Sequence, residues 1–431
     1  MDQTIEKKTL KDKFFVWATK FANNRTIHII ANGFSRLLPI TMIGTLVSLI
    51  TIVDNYTNLL KNANLLQYVT LGDTMTNGII SIFLVAAMAY EMAKGIKKSP
   101  IAAILISLVC FFILTPMTSF TVKDSTVSAF TTTYLGSKGM FVGMVTALLA
   151  TKLFAVFMDK GIKIKMPAEV PSAISESIAS VFAFASVAFI FIIINGIFAS
   201  TSFGSAHGFV YAILQKPLEG ASDSIWTMLI IACLGELLWF FGIHGSNATS
   251  AITNTLYLPL SIANAQALAV GTSLPYILNS YFLVIWKCPT RHFIMAALLL
   301  WACKSKQLKA IGKVAIVPGF FGISEPMKYG IPMVFNPILL IPMVITPMIS
   351  LVIAYVATVI GFLPRVGLNL PWYIPFPING IMAGGWAGLV VEIIQCAVVV
   401  AIYFPFVKLL DKQKCAEEAE KEKQAAESLD K

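Results

Sequence analysis

Charged residues are scarce in this sequence. Asp, Glu, Lys and Arg together form 13% of its 431 residues, while hydrophobic residues form 57% and the mean hydropathy is +0.78. Soluble domains carry about 25% charged and about 45–50% apolar residues. The shortage of charge therefore excludes an ordinary soluble domain and indicates a membrane protein with many spanning helices.

Motifs for several common chemistries are also missing. No GxxxxGK[ST] phosphate loop occurs, which excludes ATP hydrolysis of that kind. The six cysteines form no CxxC pair and mostly lie in apolar runs, so we expect no disulfide framework, no metal site and no cofactor. The net charge of +10 comes from short basic clusters without interleaved aromatics, so nucleic acid is not an expected partner.

Long apolar runs predict an all-α polytopic membrane protein with about ten transmembrane helices. The runs lie at about 28–53, 74–93, 100–120, 139–159, 178–200, 224–243, 274–286, 292–303, 338–360 and 383–407. Those at 274–286 and 292–303 are short and can span only if they extend into their flanks. Two further stretches, 244–273 and 317–337, are predicted to be re-entrant hairpins, which enter the membrane without crossing it.

Basic residues predict the cytoplasmic side of this topology, because Lys and Arg in short loops accumulate there. With ten spans and the N-terminus inside, one side receives all the strongly basic segments: 1–25, 94–98, 160–165, 304–313 and 408–431. Both termini are therefore predicted to be cytoplasmic. Residues 1–27 are predicted to form an amphipathic helix on the lipid surface, and 408–431 a charged helical tail.

The most unusual stretch is 317–347, which holds one carboxylate, Glu325, and one cation, Lys328, among six prolines. A proline inside a helix removes a backbone donor, and freed backbone groups at membrane depth need protein or trapped water as partners. The stretch is therefore predicted to line a polar cavity. Glu325 is the first candidate for chemistry, since intramembrane ionisable residues are functional by default; a structural pair with Lys328 is the alternative.

Four other residues stand out, each with a structural alternative. His244 ends the sixth predicted span between glycines; a lone histidine is more often structural, but here we expect both ring nitrogens to be able to approach a ligand. Trp372 lies between prolines and is either an interfacial residue or a face on which a sugar stacks. Glu236 and Glu392 lie mid-span without obvious partners, as packing residues or site residues.

Three blocks of sequence carry a resemblance to a known family. LLWFFGIHGSN (237–247), AIVPGFFGISEPMKYGIPMVFNPILLIP (315–342) and LPWYIPFPINGIMAGGWAG (370–388) resemble the IIC component of the lactose/cellobiose/diacetylchitobiose class of the bacterial sugar phosphotransferase system. The resemblance extends over about 10–410. It implies a homodimeric permease of the bacterial cytoplasmic membrane that binds a disaccharide outside and carries it inward. The permease then presents the sugar 6-hydroxyl to a phosphorylated cytoplasmic IIB protein, and it depends indirectly on IIA.

The resemblance also implies site residues. The family's acid falls on Glu325 and its histidine on His244, which are predicted to be catalytic and to bind substrate. Asn247, Ser324 and Trp372 are predicted to bind substrate as well.

The same resemblance implies a domain organisation. A transmembrane interface domain (28–202) is predicted to follow the N-terminal helix (1–27). An amphipathic connector (203–222) then leads to a substrate-transport domain with the hairpins (223–407), and the cytoplasmic tail (408–431) comes last.

One hypothesis from another class stays open. An ion-coupled secondary transporter would use Glu325 and Glu392 as proton or cation sites and would not phosphorylate its cargo. Discontinuous helices at the binding site fit both hypotheses. Uptake that collapses with a protonophore but ignores phosphorylated IIB would favour the secondary transporter.

Overall fold

The computed structural model describes residues 24–122, 125–162, 164, 178–215, 220, 222–330, 333 and 336–429. Most of the predicted N-terminal helix (1–27) therefore lies outside the described residues. The described chain forms two compact units, which we treat separately. The first comprises Asn23–Ser222 with Ala251–Pro275, and the second Asp223–Ser250 with Tyr276–Lys431.

The first unit consists of helices and one β-hairpin. Its helices are α1 (Arg25–Ser35), α2 (Leu38–Thr57), α3 (Leu59–Asn62), α4 (Leu66–Thr74), α5 (Ile80–Gly95), α6 (Pro100–Leu114), α7 (Thr132–Leu135), α8 (Met140–Asp159), α9 (Val181–Ala199) and α10 (Ala206–Val210). Single turns of 3₁₀ helix cover Asn77–Ile79 and Ser137–Gly139, and a π-helical turn covers Tyr211–Gln215. Helices α5, α6 and α8 pack on one another, with α1 against α5 and α9 against α6.

The β-hairpin follows α6. Strands β1 (Met117–Val122) and β2 (Ser125–Phe130) are antiparallel, with Met117 opposite Phe130 and Val122 opposite Ser125. Sequence reasoning misses this hairpin, because six-residue strands rich in Thr, Val and Ser give a weak signal beside a long apolar run. The third span is correspondingly shorter than predicted and ends at Leu114.

Helices are the regular elements of the second unit in its described residues. Its helices are α11 (Ile225–Phe240), the first part of α12 (Gly245–Ala269), α13 (Ser280–Trp286), α14 (Arg291–Ala302), α15 (Lys306–Phe320), α16 (Glu325–Gly330), α17 (Pro337–Val359) and α18 (Ile378–Leu429). Backbone angles at Gly384 and Gly385 are not helical, so α18 is kinked near its start. Buried side chains of α14, α15, α17 and α18 form the core, among them Met295, Leu308, Met343 and Val399.

The predicted re-entrant hairpin over 244–273 is wrong, because α12 runs from Gly245 to Ala269 as one helix. Several of its hydroxyl groups are satisfied within the helix. The hydroxyls of Thr249 and Ser261 donate to the carbonyls four residues earlier, at 2.9 and 3.0 Å. Such bonds allow a stretch rich in Ser and Thr to stay helical, so its polarity does not require a chain reversal.

The broken backbone predicted for 317–337 is confirmed. Helix α15 ends at Phe320, α16 covers only Glu325–Gly330, and α17 begins at Pro337. Proline explains part of this division, because a proline at the first turn of a helix is well tolerated whereas the residue before it disfavours helix. Whether this stretch enters a membrane without crossing it stays a prediction.

Several described helices are long and apolar enough to span a membrane. Six meet that condition: Leu66–Gly95, Ser137–Asp159, Val181–Ala199, Ser280–Ala302, Pro337–Val359 and Ile378–Gln424. Two shorter apolar helices are Pro100–Leu114 and Ile225–Phe240. The two short runs at 274–286 and 292–303 together supply one of these candidates, Ser280–Ala302. The chain is thus a mostly helical membrane protein, and the count of ten spans stays a prediction.

The charged tail is helical, as predicted, because α18 continues to Leu429. Its carboxylates bind the start of α15. Asp411 is buried and accepts hydrogen bonds from the backbone N–H groups of Lys304 and Ser305, at 2.8 and 2.9 Å. Glu418 accepts from the Ser305 hydroxyl at 2.7 Å. The first N–H groups of a helix have no partner within the helix. Glu418 accepts those of Lys306 and Gln307 at 3.1 and 2.8 Å, so the tail satisfies donors that α15 leaves open.

Candidate functional site

Two helices of the second unit end at the first residue of the same four-residue sequence, Phe-Phe-Gly-Ile. The first copy, 240–243, ends α11, and the second, 320–323, ends α15. In each copy the two phenylalanine rings meet edge to face, with centroids 5.2 Å apart in the first and 5.4 Å in the second. The sequence repeat is therefore also a structural repeat.

The end of α11 is a Schellman motif. Gly242 has φ of +79°, a conformation that glycine adopts without steric cost. Its N–H donates to the Trp239 carbonyl, and the N–H of Ile243 donates to the Leu238 carbonyl, both at 3.0 Å. This pair of bonds defines the motif and turns the chain sharply out of the helix.

The end of α15 has the same geometry. Gly322 has φ of +76°. Its N–H donates to the Gly319 carbonyl, and the N–H of Ile323 donates to the Pro318 carbonyl, again at 3.0 Å. The backbone therefore leaves α11 and α15 in the same way, although the two sequences differ outside the shared residues.

The repeat places the predicted site residues at matching positions. His244 and Ser324 each come two residues after the glycine. A new helix begins one residue later in both copies, at Gly245 and at Glu325. Two segments far apart in sequence thus have the same arrangement of helix end, polar residue and helix start, which could have been found in the sequence as the repeated FFGI.

A close contact between glycines sets the start of α12. A Cβ atom on Gly245 would lie 1.8 Å from the carbonyl oxygen of Gly235. No other residue fits at 245 without moving the backbone. This contact holds the start of α12 directly against α11, and His244 is the residue just before it.

His244 packs on an indole and has one ring nitrogen occupied. Its ring centroid lies 4.3 Å from that of Trp239. Its Nδ1 accepts the backbone N–H of Asn247 at 3.2 Å, so a neutral imidazole carries its proton on Nε2. The expectation that both nitrogens can approach a ligand is therefore wrong for Nδ1. Asn247 itself is exposed and positions His244 through its backbone.

Trp239 also contacts the short helix that begins at Glu325. The ammonium of Lys328 lies 3.8 Å from the Trp239 ring centroid, within the range of a cation–π contact. Lys328 belongs to α16, whose first turn is closed by the Ser324 carbonyl, which accepts the N–H of Lys328 at 2.9 Å. Of Glu325 the structure describes the backbone, as the first residue of α16. Trp239 therefore joins the segment of His244 to the segment of Glu325.

Glu236, one helical turn before Trp239, lies among three cations. Its Oε1 contacts Arg291 at 2.8 Å and Lys287 at 3.0 Å, and its Oε2 lies 3.6 Å from Lys328. The carboxylate is 1% exposed and the side chains of Arg291 and Lys328 6% and 4%. Glu236 thus has partners that are not obvious from the sequence. Sequence reasoning missed this cluster because its members come from three separate segments.

The third block of the sequence lies beside the second. A Cβ atom on Gly322 would lie 3.1 Å from the Trp372 carbonyl oxygen and 3.9 Å from its indole ring. The Trp372 side chain is 53% exposed and packs edge to face on Tyr373, with centroids 5.6 Å apart. The partly exposed indole of Trp372 therefore lies beside Gly322, which precedes Ser324 by two residues.

Glu392 also has hydrogen-bond partners, which fits its interpretation as a packing residue. Its carboxylate accepts the N–H of Gly380 at 3.0 Å and the hydroxyl of Thr290 at 3.4 Å. These bonds hold the kinked start of α18 to the residue before α14. Within the described residues, no group of three His, Cys, Asp or Glu side chains could hold a metal ion.

Apolar helices, breaks in the backbone and buried ionisable groups at those breaks define a class of protein, the membrane transporters. The family model for the EIIC component of the phosphotransferase system matches residues 31–347, and the chain belongs to this family. It is therefore the sugar permease component of a phosphotransferase system, which works with IIA and IIB proteins.

Similar proteins cover nearly the whole chain. The oligo-β-mannoside-specific EIIC component of Bacillus subtilis strain 168 is 31% identical over 94% of this chain and 93% of its own length. The cellobiose-specific EIIC component of Geobacillus stearothermophilus is 29% identical, with 97% and 96% covered. The crystal structure of ChbC, the IIC component of the N,N'-diacetylchitobiose-specific phosphotransferase system, superposes with a TM-score of 0.89 at 29% identity, covering 96% of this chain and 99% of ChbC.

Proposed function

We propose that this permease imports a β-linked disaccharide and presents its 6-hydroxyl, between Glu325 and His244, to a phosphorylated IIB protein. The observation that supports the site is the convergence of two segments on Trp239, which contacts both His244 and the helix beginning at Glu325. The similar proteins support the substrate class, since two of them are described as specific for cellobiose and for diacetylchitobiose, which are both disaccharides.

The proposed reaction moves one phosphoryl group. The sugar 6-oxygen attacks phosphorus, the bond from phosphorus to the donor residue of IIB breaks, and its electron pair stays on the donor. Glu325 accepts the hydroxyl proton, a contribution of typically ~10²–10⁴-fold for a general base. His244, with its proton on Nε2, donates a hydrogen bond to the 6-oxygen and orients it. Positioning of this kind suits phosphoryl transfer, whose transition state is loose in most analyses.

Binding of the sugar uses the surfaces near these two residues. The half-exposed Trp372 offers an apolar face on which a pyranose ring stacks, and the hydroxyl of Ser324 and the side chain of Asn247 supply polar contacts. Repositioning of the site across the membrane is assigned to residues 223–407. Residues 28–202 are assigned to the interface of a homodimer, with both termini in the cytoplasm of a bacterium.

Reconstituted vesicles test this function. Vesicles containing the permease are loaded with phosphorylated IIB, and uptake and phosphorylation of radiolabelled cellobiose and β-1,4-mannobiose are followed together. We expect sugar to accumulate as its 6-phosphate and uptake to ignore a protonophore. Accumulation of unmodified sugar that collapses with the protonophore would refute phosphorylation and support ion coupling.

The variant Glu325→Gln separates binding from chemistry. It keeps the shape of the side chain but removes the base, so we expect sugar binding within a few-fold of the parent and phosphorylation lowered by ~10²-fold or more. Glu420→Gln, which removes an exposed carboxylate of the tail, is the matched control. Phosphorylation by Glu325→Gln within about threefold of the parent would exclude a base at this position.

A further inference from the structure

We infer that the cations around Glu236 form a subsite for an anionic oxygen group carried by the sugar. The inference rests on the proposed function, because it adds a charged contact to the same sugar-binding site. The observation behind it is an excess of buried positive charge beside Trp239, the residue that contacts His244.

Counted over the residues that the structure describes, the charge balance of the cluster is positive. Lys287, Arg291 and Lys328 surround the single carboxylate of Glu236. The next acid along the chain is Glu325, three residues before Lys328, and even an ionised Glu325 leaves one cation in excess. Buried charges are strongly unfavourable unless they are balanced. A bound anion would supply the missing negative charge.

Glu392 does not supply that charge. Its carboxylate is engaged by the Gly380 N–H and by the hydroxyl of Thr290. No ion pair joins Glu392 to the three cations among the residues that the structure describes.

The three cations differ in how they are held. Arg291 makes three hydrogen bonds within the protein, one to Glu236 and two to the carbonyls of Lys287 and Cys288, the latter two at 2.8 and 3.3 Å. Within the described residues, the one ion pair of Lys287 is with Glu236, and its ammonium has three donors. Its side chain is 19% exposed, the most of the three. An entering ligand would therefore meet Lys287 before the other two cations.

Lys328 links this subsite to the reacting groups. Its ammonium is paired with Oε2 of Glu236, whereas that of Lys287 is paired with Oε1. The Lys328 ammonium also lies over the ring of Trp239. Two ammonium groups on either side of one carboxylate present a pair of point charges, which suit a carboxylate or phosphate oxygen. A neutral hydroxyl would gain much less from them.

The anionic group has two possible sources with the same chemistry. It is either an acid group of the imported disaccharide or the phosphate placed on the 6-hydroxyl by the transfer. In the first case the subsite selects acidic sugars, and in the second it holds the product after transfer.

Equilibrium binding to the full-length permease in lipid nanodiscs separates these sources. The probes are cellobiose, cellobionate, which carries a carboxylate at C1, and cellobiose 6′-phosphate. We expect one of the two anionic probes to bind at least about tenfold more tightly than cellobiose, a preference that falls as salt is raised. Tight binding of cellobionate identifies a substrate acid, and tight binding of the phosphate identifies the product.

Two variants assign the preference to the cluster. Lys287→Gln and Lys328→Met should each bring the anionic probe to within about threefold of cellobiose, because each removes one of the point charges. Lys138→Gln, at an exposed lysine of the first unit, should leave the preference unchanged. Equal affinity for all three probes, or a preference that survives both variants, would overturn the inference.

Failure of the proposed function would look different. If no probe bound and no sugar were phosphorylated, the disaccharide assignment would fail. The subsite would then be tested with inorganic phosphate alone, which should raise the apparent melting temperature of the parent but not of Lys287→Gln. If Lys328→Met did not fold, the partly exposed Lys287 would still give the answer, and no effect of phosphate on the parent would refute the subsite.

Discussion

Glu236→Gln should be among the most destabilising single changes in the second unit. The substitution preserves shape but removes a carboxylate that contacts Lys287, Arg291 and Lys328, at 3.0, 2.8 and 3.6 Å. Each contact corresponds to roughly 5 kcal/mol of attraction at an effective dielectric constant of about 20, and repulsion among the cations opposes it. Removing one partner of a buried ion pair typically costs about 3–5 kcal/mol.

The expected loss can be read as a shift in melting temperature. For a cooperative unit of about 150–250 residues, 1 kcal/mol corresponds to about 2–4 °C. We therefore expect the apparent melting temperature of Glu236→Gln in detergent to fall by about 6–20 °C, measured by intrinsic fluorescence or by loss of the monodisperse peak in size-exclusion chromatography.

A second substitution makes the reasoning refutable. Lys328→Met removes one cation and should by itself change the melting temperature by only a few degrees, because Glu236 keeps two cationic partners. Combined with Glu236→Gln, it should recover part of the loss, since less positive charge is left unbalanced. A fall of under about 3 °C for Glu236→Gln, or no recovery in the double variant, would show that this carboxylate does not balance the cluster.

Three further predictions concern single positions. His244→Ala should lower phosphorylation by ~10²-fold or more while sugar binding falls only a few-fold, as measured by single-turnover transfer from IIB; unchanged transfer would make this histidine structural. Gly322→Ala should lower folding stability by about 1–2 kcal/mol through its positive φ, and it should also weaken sugar binding because the new methyl group crowds Trp372. Gly361→Ala, at φ of +78° with open space around it, is the control. It should lower the melting temperature without weakening sugar binding. Asp411→Ala leaves two backbone N–H groups without their acceptor and should cost about 1–3 kcal/mol, seen as faster hydrogen exchange at the start of α15; unaltered exchange would contradict the role of the tail.

Hydrogen bonds, some within one helix and some between distant segments, overrode the pattern of the sequence at several points. The polar stretch 244–273 is a helix because hydroxyl groups bond back to carbonyls of the preceding turn, which a count of polar residues does not reveal. The strands β1 and β2 depend on pairing with each other, and an apolar run of sequence next to them hides that pairing. Glu392 finds its partners on segments twelve and about a hundred residues away.

Sequence alone determined the membrane setting and the break in the helix at 317–347. Composition and long apolar runs indicated a membrane protein, since a chain with this little charge cannot cover a soluble surface. Glycine and proline at 317–347 indicated a broken helix, because each acts on its own stretch of backbone. The same locality explains the two FFGI stops, in which a glycine at positive φ ends the helix whatever lies around it.

Only the tertiary structure decided which side chains meet. Nothing in the sequence relates Glu236 to Lys287, Arg291 and Lys328, because ion pairs form across space and the intervening chain can place any lysine beside any carboxylate. The same holds for Trp239, whose contacts with both His244 and Lys328 are not indicated by any pattern in the sequence. Neighbouring residues determine short-range backbone preferences, whereas the charges around Glu236 come together only when the helices pack.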